Sequence, residues 1–117
     1  MAAAATHLPI LVLTHLPDRD AALGLARALV TGRLAACVNV LADGLSVYRW
    51  KGESESAREV PVVIKSRESL YVELEQAILQ HHPYELPEIV AVRPSNGLPA
   101  YLEWVLAETQ SASAPRR

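Results

Sequence analysis

Apolar positions along the chain alternate between two periods. Ile10-Leu11-Val12-Leu13 is a short apolar run ended by Pro17, which predicts a buried strand. Ala22, Leu25, Ala26 and Leu29 then recur at helical spacing and predict a helix with one apolar face. Asp18 or Asp20 can cap its start, and Gly32 suits the left-handed position past its end. Strand patterning returns over residues 34–50, with a bend or bulge marked by Asp43-Gly44. In its last part Ser46, Tyr48 and Trp50 share one face, while Leu45, Val47 and Arg49 share the other. Lys51-Gly52-Glu53-Ser54 has turn chemistry, so residues 55–65 are expected to pair back on 34–50 as a long two-stranded arm. Pro61 has no N–H for the ladder and is expected at an edge or a bulge.

The second half repeats the order. Ser66 can cap a helix whose face is Leu70, Leu74, Ala77, Ile78 and His81, and Pro83 stops it. Residues 88–92 predict a strand closed by Pro94, Asn96-Gly97 a turn, and Pro99 a short last helix. The sum is an α+β chain: a ferredoxin-like βαββαβ antiparallel sheet with helices on one face, a long arm between the second and third strands, and a short C-terminal helix. The outer half of the arm lies too far from the helices to be covered. A two-stranded ribbon is marginal in water, and unpaired edges invite another chain, so the pattern predicts an oligomer.

Composition narrows the class. The 117 residues fit a single domain, with an ordered core over about 8–109 and flexible ends at 1–7 and 110–117. Half the residues are apolar and Phe is absent, so Leu, Val, Ile and Ala must build the core. The net charge of −2, with no basic stripe, argues against a nucleic-acid partner. One Cys excludes an intrachain disulfide and suits a reducing compartment. The first five residues lack the charged start of a secretory signal. No apolar run approaches the roughly 20 residues of a spanning helix. A cytoplasmic protein without a membrane partner is expected.

Several segments carry a resemblance: Leu34-Ala35-Ala36-Cys37-Val38-Asn39, Tyr48-Arg49-Trp50-Lys51-Gly52, Lys65, His82-Pro83-Tyr84-Glu85-Leu86-Pro87-Glu88, and Tyr101-Leu102-Glu103-Trp104. In this order and spacing the chain resembles the CutA family over roughly residues 10–107. The resemblance implies a homotrimer similar in architecture to PII signalling proteins, and a link to tolerance of divalent cations, copper above all. Some members carry a proposed copper-ligating Cys directly after the first strand. Here Thr14 stands there, and His15, one residue later, points to the other face of a strand.

Candidate chemistry concentrates in the second half. His81 and His82 are candidate metal ligands, since imidazole suits copper and zinc, and Glu85 could share the cation. Neighbours on a helix point about 100° apart, so the pair can share an ion only if the helix unwinds at Pro83. In the competing reading His81 packs on the core and His82 sits at the helix C-terminus, where positive charge is favoured. Cys37 reads as a small core residue or as a cleft thiol. Lys65 is either a solvated strand end or an anion ligand beside a helix start. Tyr84 and Glu88 lie around two rigidifying prolines, and with Cys37 and Lys65 they form the expected ligand cleft. Tyr48, Trp50 and Trp104 are expected at the trimer interface. There is no HExxH, CxxC or Gly-rich phosphate loop, so no enzyme and no organic cofactor is expected. The function expected first is trimeric binding of Cu(II) or another divalent cation. The alternatives are a PII-like sensor of a small anionic metabolite held between subunits and a trimeric docking scaffold for an unidentified partner.

Overall fold

A computed structural model describes residues 8–109; the ends expected to be flexible lie outside the described residues. The elements are β1 (Pro9–Leu16), α1 (Arg19–Thr31), β2 (Cys37–Val40), β3 (Gly44–Trp50), β4 (Glu53–Arg67), α2 (Tyr71–His81), β5 (Val90–Val92) and α3 (Pro99–Glu108). A 3-10 turn, Glu68–Leu70, leads into α2. The sheet is antiparallel in the order β2-β4-β1-β5, and β3 pairs with the outer part of β4. This is the ferredoxin-like arrangement the pattern predicts. The arm stretches the subunit to 49 Å in its longest dimension, against 27 and 24 Å in the others.

Period-2 alternation places the core. Ile10, Val12 and Leu16 of β1 and Val60, Val62 and Ile64 of β4 are buried in one cluster with Leu25 and Leu29 of α1 and Leu74 and Ile78 of α2. Burying a side chain of this size stabilises the fold by about 1.5–3 kcal/mol. Leu11, Leu13, Val63 and Lys65 consequently point to the opposite face, where they are half-buried.

The arm is one continuous strand, β4, facing two shorter ones. Cys37–Val40 pair with 62–65 and Gly44–Trp50 pair with 53–59, so three residues, 41–43, stand opposite only Val60 and Pro61. That is the bulge read from Asp43-Gly44. Pro61 lies in an inner strand rather than at an edge, and the bulge explains how. Its carbonyl accepts the Leu41 N–H at 3.0 Å, so its N–H position faces the interrupted stretch between β2 and β3, where no ladder bond is lost. At the arm's tip Lys51 and Gly52 both take positive φ, 51° and 84°, as a two-residue hairpin turn requires.

Three local expectations are corrected. Ser66 does not cap α2. β4 runs to Arg67, and the Ser66 hydroxyl is buried and donates to the Leu34 carbonyl at 2.6 Å. Gly32 caps α1 with φ −80°, and Arg33 takes the left-handed conformation at φ 62°. Glycine is needed at 32 for space, since a Cβ there would lie 3.2 Å from the Ala28 carbonyl oxygen. The turn at Arg33 aims its guanidinium at the end of α3, where it donates to Ala107 O at 2.8 Å and Glu108 O at 3.3 Å. Arg67 donates to Leu106 O and to the buried Thr109 hydroxyl. Two arginines from distant elements thus supply the positive charge that favours a helix C-terminus, which α3 itself lacks in its last turn. The last strand is shorter than expected, Val90–Val92.

Candidate functional site

The loop between α2 and β5 is fastened to β1 at both ends by one residue. His82, at the C-cap of α2, donates from Nε2 to the His15 carbonyl at 2.6 Å. The His15 ring donates in turn from Nδ1 to Glu88 Oε1 at 2.9 Å. Between these ties, His82 Nδ1 accepts the Tyr84 N–H at 3.3 Å. A carbonyl only accepts and an amide N–H only donates, so these partners fix the neutral Nε2–H tautomer. Burial lowers the pKa of His82, opposed by its bond to His15 and by the nearby charge of Glu59. The Tyr84 ring tilts against His82 with centroids 4.8 Å apart. Its phenol is pushed up to about 12, by burial first and then by the Glu59 carboxylate beside it. Tyr84 is therefore a neutral hydroxyl facing an anion.

Held this way, the loop forms one wall of an open groove with a volume of about 860 Å³, and the arm forms the other. Glu55 and Glu59 of β4 project from the arm, flanked by Tyr48 and Trp50 of β3; Tyr84, Glu85 and Glu88 face them from the loop. Uninterrupted pairing along β4 puts Glu55 and Glu59 on one face, about 13 Å apart at the usual strand rise. Among the described residues lining the groove none is Lys or Arg. The arrangement favours cations and disfavours small anions.

The structure sorts the sequence candidates into three places. Tyr84, Glu85, Glu88, Tyr48 and Trp50 meet at the groove. Cys37 and Lys65 lie opposite each other on β2 and β4, with Lys65 donating to Asn39 Oδ1. Ile64 and Ser66 are buried beneath the helices, so Lys65 points away from the start of α2, not beside its dipole. His81 is exposed instead of lining the core, with Nδ1 2.9 Å from the Ala77 carbonyl oxygen. His81, His82 and Glu85 do not form a common site; among the described residues no three His, Cys, Asp or Glu side chains are placed to hold a metal ion. Trp104 is exposed on α3 and packs on Tyr101 with centroids 5.6 Å apart.

Two features escaped the sequence reading. His15 is the fastening residue, and only its odd-numbered place on β1, away from the core, hinted at a surface role. Glu55 and Glu59 read as ordinary polar arm positions until the loop is seen opposite them.

The residues 10–108 match the model of a family described as CutA1 divalent ion tolerance protein. The chain belongs to the CutA1 divalent ion tolerance family. It is 42% identical over 97 residues to protein CutA of Mus musculus, covering 83% of this chain and 55% of the mouse protein. It is 38% identical over 98 residues to the divalent-cation tolerance protein CutA of Thermus thermophilus, covering 84% of this chain and 95% of that one. The chain thus spans about half the length of the mouse relative, and likewise of the human and Arabidopsis thaliana ones. Among solved CutA1 structures, that of Thermus thermophilus superposes with a TM-score of 0.86 at 36% identity, covering 88% of this chain and all of that one. That of Oryza sativa also gives 0.86, at 34% identity, over 93% of this chain and 100% of the rice chain. The α+β architecture is therefore that of the CutA1 family. No helix among the described residues is long and apolar enough to cross a membrane.

Proposed function

We propose that this CutA1 chain is a homotrimeric divalent-cation tolerance protein that takes up copper or another divalent ion without turning over a substrate. The observation that carries the reading is the groove: Glu55, Glu59, Glu85 and Glu88 converge on it with no lysine or arginine in its described lining. This also moves the proposed contact with metal. Both His82 ring nitrogens are engaged, so His82 serves as a fastener of the loop, and exposed His81 can offer Nε2 alone. The carboxylates, Glu85 among them, supply a negative field that draws divalent ions to the groove without a preformed three-ligand cage among the described residues. Oxygen ligands suit hard divalent ions, while imidazole suits copper. The same charge disfavours the anionic-metabolite reading.

Exposed apolar surface supports the trimeric part of the proposal. Leu45, outside the groove lining, and Val47, on its rim, are 63% and 71% exposed, and Trp104 is 43% exposed. Apolar surface on a two-stranded arm is stabilised by a further layer, which neighbouring subunits of a trimer would supply. Trp104 is retained as a proposed interface residue, and Tyr48 and Trp50, which line the groove, would as interface residues meet a neighbouring subunit there, on the opposite arm face from Leu45. The single cysteine, half-buried and unpaired, favours a cytoplasmic site of action. The test is calorimetric titration of Cu(II) into the wild type, a His81→Ala/His82→Ala variant and a Glu59→Gln/Glu88→Gln variant. Binding weakened at least fivefold in the carboxylate variant but changed less than twofold in the histidine variant is expected. The reverse pattern would return the site to the histidines.

A further inference from the structure

The loop that joins β5 to α3 carries Asn96-Gly97, a pair that the groove does not use. It runs between Pro94 and Pro99, and Ser95, Asn96, Gly97 and Leu98 are all exposed. Among the described residues, no backbone N–H of these four donates a hydrogen bond. The Asn96 side chain makes one contact, Nδ2 to the Ser95 hydroxyl at 3.5 Å, beyond the usual hydrogen-bond range. The side-chain amide of Asn96 and the backbone amide of Gly97 are therefore free to approach each other. Position 97 is also closed to a larger residue: a Cβ there would lie 2.9 Å from a Leu102 methyl of α3. The fold itself thus keeps glycine after this asparagine. Asparagine is labile, and most so when the next residue has no side chain to shield its nitrogen. The other asparagine, Asn39, meets none of these conditions. It is paired opposite Val63 in β2, its side chain accepts from Lys65 Nζ, and β-branched Val40 follows it.

We propose that Asn96 is a self-modification site, which deamidates through a cyclic imide formed with Gly97. The Gly97 nitrogen gives its proton to solvent and attacks Asn96 Cγ. The Cγ–Nδ2 bond breaks, and Nδ2 leaves as ammonia with a proton from solvent. Water then opens the imide at either carbonyl. Cleavage of the new N–Cγ bond leaves aspartate. Cleavage of the original peptide bond leaves isoaspartate, whose main chain runs through the side-chain carbons. One water is consumed and one ammonia released, with no oxidant or reductant. The two products act on α3 in opposite ways. That helix has Leu98 at its N-cap, no side-chain cap and no acidic residue in its first turn. Aspartate at 96 brings a negative charge close to this uncapped end, where it is favoured. Isoaspartate lengthens the lead into the helix by one backbone atom and draws Gly97 out of its close fit on Leu102. The reaction therefore marks old chains at the element that carries Tyr101 and Trp104.

The test is prolonged incubation of the full assembled chain in mildly alkaline buffer, followed by peptide mass mapping, with isoaspartate counted by enzymatic methylation of its carboxylate. Deamidation at Asn96 is expected at least tenfold faster than at Asn39, and faster as pH rises, because the attacking amide must lose its proton. Asn96→Gln, whose longer side chain must close a larger ring, should cut modification at 96 at least tenfold with an unchanged circular dichroism spectrum. Chains carrying isoaspartate should show a lower urea midpoint than Asn96→Asp, which should match or exceed the unmodified protein. Equal rates at Asn96 and Asn39 would overturn the site. So would an Asn96 that survives in the folded chain while a free peptide of residues 93–99 converts, since the fold would then protect the bond. Equal midpoints for the isoaspartate and Asn96→Asp chains would overturn the effect on α3.

Discussion

The 15 residues of β4 pass through two environments. From Val60 to Arg67 every second side chain is buried under α1 and α2, and both strand edges pair with β1 and β2. From Glu53 to Glu59 the backbone pairs on one side only, with β3, and no side chain is fully buried. The strand itself continues unbroken through both stretches while its partner changes from β2 to β3 across the bulge, and what also changes is the support. Backbone pairing suffices to extend a strand that a core has already nucleated, but it leaves both side-chain faces of the extension to find partners. Here one face has become an acidic groove, closed by the loop that His15 fastens. The other carries exposed Leu45 and Val47, of which Val47 also borders the groove. The inner half therefore carries stability, and the outer half carries recognition.

The comparison can be broken by mutation. Ile64→Ala in the inner half should cost about 2–5 kcal/mol, the usual loss for a fully buried Ile, read as a lower urea midpoint. A loss below about 1 kcal/mol would show that the inner half is not core. Leu45→Glu in the outer half should leave the circular dichroism of the subunit unchanged and weaken trimer assembly at least tenfold by sedimentation, because it places a carboxylate on exposed apolar surface proposed for the interface. A fully trimeric Leu45→Glu protein would locate the interface elsewhere. Thr14→Val sharpens the contrast from the stabilising side. Thr14 is 1% exposed and its hydroxyl has no hydrogen-bond partner among the described residues. An apolar side chain of the same shape should raise stability by about 1 kcal/mol, and a decrease would reveal a hidden partner.

The smallest expected effect lies at the seam between the two halves. The folded-state pKa of His82 is lowered chiefly by burial, so its contribution to loop stability is present above the ordinary value near 6.5 and lost as pH falls through the lower folded value. Protonation also turns Nδ1 into a donor facing the Tyr84 N–H. Hydrogen-exchange protection factors over residues 82–88 should fall between pH 7 and 5, and His82→Gln should flatten that profile. An equal fall in both proteins would assign the effect to another group.

How much was legible in the sequence follows the same division. Inner elements announced themselves because a core imposes a period: Ile10, Val12 and Leu16 alternate, Leu25 and Leu29 recur along a helix face, and Asp43-Gly44 marked the bulge. Ser66 misled because a hydroxyl before a helix looks like a cap, whereas its register opposite Ile10 keeps it in the sheet. Gly32 misled because glycine can serve turning or close approach, and sequence alone does not say which. The groove was half legible. Tyr84, Glu85 and Glu88 stood out on a proline-bounded loop, but their partners Glu55 and Glu59 lie on a strand far away in sequence, with no period to connect them. His81 and His82 drew attention as adjacent imidazoles; their separate roles depend on a carbonyl of β1 that no local pattern reveals.

The bulge at 41–43 also governs how the family can change length. A residue added or lost there alters a segment already out of step with its partner, so β2 and β3 can keep their registers on β4. One residue inserted within 54–60 would exchange the faces of everything beyond it, turning Glu55 away from the loop and bringing a neighbour of opposite orientation into the groove. Natural length variation in the arm should therefore collect at 41–43 and at the Lys51-Gly52 tip, while the spacing from Val60 to Glu55 is inherited intact.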